Sequence, residues 1–214
     1  VYIKSVVEER EETVKRTLAL FFVLTVAAWA NPTAWQADAD AYVFSESPDE
    51  NYGDLDVIAV QYDEHMEHRT FIHFDLPDPH GDDEVIEGVL ELDVDTYYSP
   101  GIIGIYLLNE DWDEMSVTWN NQPTYDTEKM LFHDWVYYFG YRLELTLDGS
   151  VLTEWLQEQP FNNYGMIMIA DPYMAWPDFL FYSRETPDEP LLWLSPDPWP
   201  VESLSWGLIK ATEW

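Results

Sequence analysis

The sequence predicts an all-β fold, a jelly-roll β-sandwich of about ten strands with one short helix. Three observations predict it. Short apolar segments recur at regular spacing, several of them alternate apolar with acidic residues, and turn-forming residues separate them. The clearest alternation is Val85 to Thr96, where Ile86, Leu90, Leu92 and Val94 share one face and Glu87, Glu91, Asp93 and Asp95 mostly fill the other. A period of two puts one face of a strand in a core and the other in water. Leu143, Leu145 and Leu147 alternate in the same way, and Thr70 to Leu76 does so less cleanly. Further strands are expected at Ala41 to Phe44, Val57 to Val60, Ile103 to Leu108, Ser116 to Trp119, Gly165 to Ala170, Phe179 to Ser183 and Leu191 to Leu194. Between them stand turn signals such as Ser47-Pro48-Asp49, His80-Gly81-Asp82, Ser99-Pro100-Gly101 and Asp171-Pro172. The one helix runs from Gly149 to Gln157, capped by Asp148, with Val151, Leu152, Trp155 and Leu156 on one face.

The chain has 214 residues, 47% of them hydrophobic, which suffices for one full-sized domain. It has no cysteine, so no disulfide framework is possible. With 11 Trp, 14 Tyr and 10 Phe, it buries too much apolar surface to be disordered. There are 42 acidic residues against 9 Lys and Arg, a net charge of -33. No basic stripe exists to displace counterions, which argues against nucleic acid, and an anionic membrane surface would repel the chain. The acids either form a solvated surface, bind divalent cations or face a cationic partner.

Residues 1-30 read as a signal peptide with an N-terminal extension, expected to be helical. Lys15-Arg16 precede the apolar run Thr17 to Ala28, and Ala28-Trp29-Ala30 supplies an A-x-A end, with cleavage expected after Ala30. The run is too short for a comfortable membrane span, so no span is expected after processing. Val14 would serve as an alternative start. An uncleaved helix from Ser5 to Ala28 acting as an anchor is the other reading of the segment. Residues 31-37 read as a linker, 38-194 as the sandwich, and 195-214 as a Pro-rich linker, Ser195 to Pro200, with a short apolar tail.

Five tracts of the chain resemble the DNRLRE, or disaggregatase-related, domains, which include a carbohydrate-binding module family. The tracts are Ala39-Asp40-Ala41-Tyr42-Val43 with Ser47 to Gly53; Arg69 to Leu76 (RTFIHFDL); Trp112 to Pro123 (WDEMSVTWNNQP); Asn162-Asn163-Tyr164-Gly165; and Tyr182-Ser183-Arg184-Glu185 with Pro190-Leu191. They lie in the family's order and cover residues 38 to 194. The resemblance implies an exported β-sandwich, of a kind attached to larger surface proteins or polysaccharide-degrading enzymes, with some members binding acidic polysaccharides such as alginate. This chain departs in its surplus of acid: an anionic glycan would be repelled unless calcium bridged the two.

No catalytic signature is present, whether G-x-S-x-G, H-E-x-x-H, phosphate loop or Cys nucleophile. The expected function is therefore a secreted, non-catalytic carbohydrate-binding or surface-adhesion module, extracellular or at the cell surface, whose partner is a polysaccharide or cell-surface glycan. A self-assembling matrix subunit is the alternative, and a polysaccharide lyase or hydrolase is the third. Sugar rings stack on exposed aromatic faces. The candidates are Tyr97, Tyr98, Tyr125, Trp135, Tyr138 and Trp176, the Trp135 and Tyr138 pair falling in the tract Trp135 to Tyr141; each also reads as core or edge packing. Trp119 and Trp155 are assigned to the core. Calcium, as a structural cofactor, would take clustered oxygens, and Asp38, Asp40, Asp49 and Asn51 offer them; otherwise these groups face water. His65 and His68 fall in a polar hairpin, expected to be solvated. Arg69 and Arg184 are expected to pair with carboxylates.

Overall fold

A computed structural model of the chain describes residues 33–77, 85, 87–138, 140–158, 160–172 and 176–195. The signal segment, the tail beyond Ser195, Ile86 and the His80-Gly81-Asp82 turn lie outside the described residues. The described chain carries ten strands and one helix: β1 (Thr33–Phe44), β2 (Val57–Tyr62), β3 (Glu67–Phe74), β4 (Glu87–Ser99), β5 (Gly101–Leu108), β6 (Tyr125–Val136), β7 (Arg142–Leu147), α1 (Gly149–Gln157), β8 (Met166–Ala170), β9 (Asp178–Tyr182) and β10 (Leu191–Ser195). The fold is a β-sandwich, as the alternation predicts.

All pairings are antiparallel. In one layer the first half of β1 pairs with β10, β10 with the first half of β4, and β4 with β7. In the other, the second half of β1 pairs with β3, β3 with β8, β8 with β5, and β5 with β6. β2 and β9 connect β3 to the second half of β4. The ladder β1-β10-β4-β9-β2-β3 thus returns to β1 and closes on itself.

Between the layers lies the main core, built from Ile72, Leu90, Leu92, Ile103, Ile105, Phe179, Leu192 and their neighbours. Burial of these side chains, roughly 1.5–3 kcal/mol each, is the largest favourable contribution to the fold. A second, smaller cluster lies on the opposite face of the β1-β3-β8-β5 layer: Ala41, Val43, Phe71, Leu108, Val117 and Ile167. The two faces explain the continuous apolar runs of β5 and β8. In β8, Met166 and Met168 enter the main core while Ile167 enters the second. The segments 45–56 and 109–124 cover that second cluster. The helix matches expectation: the Asp148 carboxylate accepts from the Ser150 and Val151 amides, and Leu152, Trp155 and Leu156 are buried.

Four expectations need correction. Thr33 to Ala37, read as linker, forms the first half of β1, because Gln36 through Thr33 pair with Leu191 through Leu194 of β10. Ser116 to Trp119 is not a strand. The Ser116 and Val117 amides donate to the Asp113 carbonyl, and the Asn121 side-chain carbonyl accepts from the Thr118 amide, so this backbone is satisfied within a turn. Tyr125–Val136 is a strand that the sequence does not reveal. As the last strand of its layer it buries only Leu131 and Val136, so no period of two develops. Trp119 is half-buried rather than core: it packs on the second cluster, and the Arg69 guanidinium lies 4.6 Å from its ring centroid.

Candidate functional site

The β4–β5 turn, Ser99-Pro100-Gly101, holds two longer connections beside it. The Ser99 hydroxyl donates to the Trp176 carbonyl in the β8–β9 connection. A Cβ at Gly101 would sit 2.7 Å from the Pro177 ring, so the turn presses directly on that connection. On the other side, Gly101 and Ile102 pair with Val136 and Trp135 at the end of β6, where the β6–β7 connection begins. That connection is tied back to β4 by the Val94 amide, which donates to the Tyr141 carbonyl at 2.7 Å.

These three segments carry the most exposed aromatic side chains described: Tyr98 is 69% exposed, Tyr137 58%, Tyr141 85% and Trp176 57%. The other expected glycan residues are engaged in packing. Tyr97 lies against Tyr138 at 5.5 Å and Phe179 at 5.0 Å between ring centroids. Tyr125 packs beside Tyr106 at 5.3 Å, away from this group. Trp135 is half-buried, 5.7 Å from the Tyr137 ring, and its buried indole N–H has no hydrogen-bond partner among the described residues. Of the six candidates, Tyr98 and Trp176 are exposed and brought to one place. Tyr137 and Tyr141, which belong to the same aromatic tract as Trp135 and Tyr138, present more surface than either.

The four candidate calcium ligands are each engaged with other groups of the chain. Asp38 faces His73, with Oδ1 2.6 Å from Nδ1. Asp49 accepts from the Asn120 side-chain amide at 2.8 Å. Asn51 donates to the Glu114 and Val117 carbonyls, each at 2.8 Å. Asp40 is only 1% exposed and accepts from the Arg184 amide at 2.7 Å. Burial pushes its carboxyl up to about 7, opposed by that hydrogen bond and the Arg184 charge and reinforced by Glu114. Among the described residues no group of three or more His, Cys, Asp or Glu side chains is placed to hold a metal ion.

The model of carbohydrate-binding module family 96 matches residues 31–196. This chain belongs to that family. No curated protein matches it.

The tracts that resemble DNRLRE domains build the framework of the module. Asp40 from the first tract, Glu114 from the third and Arg184 with Glu185 from the fifth meet in one polar network. The Asp40 amide donates to Glu114 Oε1 at 2.8 Å, and the Arg184 guanidinium pairs with Glu114 and Glu185 and donates to the Asp38 carbonyl. Arg69 pairs with Glu67 and donates to Gln122 at 3.1 Å. Both arginines are thus held by carboxylates, as expected. In the fourth tract, Asn163 donates to the Phe74 carbonyl at 2.7 Å, and Gly165 has φ +82°, with the Ile72 carbonyl 2.4 Å from where a Cβ would lie. In the β2–β3 hairpin His65 is exposed, whereas His68 stacks on Phe44 at 4.2 Å, and burial lowers its pKa to about 4.

Proposed function

We propose that this carbohydrate-binding module is exported and non-catalytic, and takes its glycan at the exposed aromatic side chains around the β4–β5 turn. The carrying observation is that Tyr98, Tyr137 and Trp176 are exposed on adjoining segments at this turn, with Tyr141 exposed further along the β6–β7 connection. Exposed rings of this size on neighbouring segments mark an interaction surface, and a ring face is what a sugar's C–H face stacks on. A net charge of -33 disfavours polyanionic glycans and favours neutral or cationic ones. Export is supported by Lys15-Arg16, the apolar run Thr17 to Ala28 and the Ala28-Trp29-Ala30 end. Among the described residues no helix is long and apolar enough to cross a membrane.

The test is retention of the full chain on immobilised neutral and acidic polysaccharides. Retention on at least one neutral polysaccharide is expected, with loss in Trp176→Ala. No retention on any of them, or retention unchanged in Trp176→Ala and Tyr98→Ala, would remove this reading. Release of reducing ends from a retained polysaccharide would remove its non-catalytic part.

A further inference from the structure

A groove of about 310 Å³ crosses the outer face of β10, β4 and β7, on the layer opposite the covered second cluster. The strand period builds it. Leu192 and Leu194 of β10, Leu90 and Leu92 of β4, and Leu143 and Leu145 of β7 enter the core. Trp193, Glu87, Val89, Glu91 and Glu144 therefore line the opposite face. Its volume is that of a small-molecule site, about 300 Å³ or more.

Two features of this face are not what folding alone favours. Glu91 and Glu144 stand directly opposite each other in the β4–β7 register. Like charges so placed are destabilising. Glu91 is also only 7% exposed. It is compensated: Trp193 Nε1 donates to Glu91 Oε2 at 3.1 Å, and Arg142 Nη1 lies 2.6 Å from Glu91 Oε1. The same guanidinium spans both oxygens of Asp93, at 2.8 and 3.1 Å. Arg142 thus pairs with Glu91 and Asp93 and its charge also reaches Glu144, while Glu144 and Glu87 stay exposed at the groove. The hydrogen bond to Glu91 also fixes the indole, leaving a preset apolar face beside surplus negative charge.

We propose that this groove binds an amine-bearing sugar residue, with Trp193 stacking on the sugar ring and Glu87 and Glu144 facing its ammonium group. A protonated 2-amino sugar meets both features at once: a C–H face for the indole and a charge-assisted donor for the carboxylates. The proposal rests on the glycan-binding reading and adds a second, chemically selective place to it.

The experiment follows tryptophan indole N–H resonances of the ¹⁵N-labelled full chain, with Trp193 and Trp176 assigned by Trp193→Phe and Trp176→Phe. The probes are a fully deacetylated glucosamine trisaccharide, its N-acetylated counterpart, and spermidine as a cation without a sugar. The expected result is a saturable shift of the Trp193 resonance with the deacetylated probe, about tenfold weaker with the acetylated one. Glu144→Gln, which keeps shape and strand pairing, weakens the deacetylated probe several-fold while leaving Trp193 in place. An unmoved Trp193 resonance, equal affinity for the two trisaccharides, or full reproduction of the shift by spermidine would each overturn the proposal. Movement of Trp176 alone would leave the proposed function standing and remove the groove.

Discussion

Two surfaces of this module use their side chains in opposite ways. The segments 45–56 and 109–124, which cover the second cluster, are dense in internal bonds. Asn51 bridges two carbonyls, Asn120 holds Asp49, Tyr52 stacks on Tyr42 at 4.6 Å, and Trp112 Nε1 donates to the Tyr164 carbonyl at 3.0 Å. The connections around the β4–β5 turn are joined mainly through backbone groups, and their largest rings face water. The covering segments hold Ser47 to Gly53 and Trp112 to Pro123 of the resembling tracts; the aromatic connections hold none of them. The resemblance therefore reports the framework, and the proposed glycan surface lies outside its tracts.

Substitutions should separate the two surfaces, and the largest effect is expected at Asp40. Its carboxyl, buried and raised to about 7, binds a proton in the native state that the unfolded chain releases near 4. The native state binds more protons across that window, so this group's contribution to stability is full below about pH 4 and falls as pH rises to about 7. The loss is on the order of 4 kcal/mol. His68, lowered to about 4, acts in the opposite direction between about 4 and 6.5, but equally in a variant that retains it. Urea unfolding of Asp40→Asn and the parent at pH 4 and pH 8 should therefore show a difference that moves in favour of Asn with rising pH. Parallel profiles would show that Asp40 does not hold a proton in the native state.

A smaller loss is expected from Gly53→Ala, whose Cβ would lie 2.1 Å from the Glu114 carbonyl oxygen, a backbone atom. Forcing the two covering segments apart should cost about 1–3 kcal/mol in urea unfolding, with glycan retention intact at temperatures where the domain is folded. Loss of retention in the folded variant would put the covering segments in the binding surface. Asp148→Ala, which removes the α1 cap, should cost about 1 kcal/mol and likewise leave retention unchanged. Trp176→Ala inverts the pattern: within about 0.5 kcal/mol of the parent in stability, yet without glycan retention. A large destabilisation there would make Trp176 a packing residue and erase the contrast.

What was legible in the sequence follows from how each element is buried. β4 and β7 bury one face and show it as a period of two; α1 shows its cap and its apolar stripe. β6 was hidden because an outermost strand with two buried side chains has no face to betray it. For the same reason the tract Trp135 to Tyr141 could be found as aromatic, but its exposed members could not be told from its packed ones. Trp193 was the opposite case. It stands between Leu192 and Leu194, so its outward direction is implied by the period, but its neighbours Glu87, Glu91 and Glu144 come from other strands and become visible only through the register. The Asp40, Glu114 and Arg184 network joins residues up to 144 positions apart, a distance that no local pattern spans.

The antiparallel pairing of Thr33 with Leu194 means that β1 enters and β10 leaves the domain side by side. A pull carried through the adjoining chain acts on those two strands at their open end. It loads one rung at a time, like a zipper, before it reaches the strands beyond. A domain pulled by its two ends would therefore be expected to peel β1 from β10 before other strands part, and the β10–β4–β7 face, which includes one of those strands, would be disturbed early.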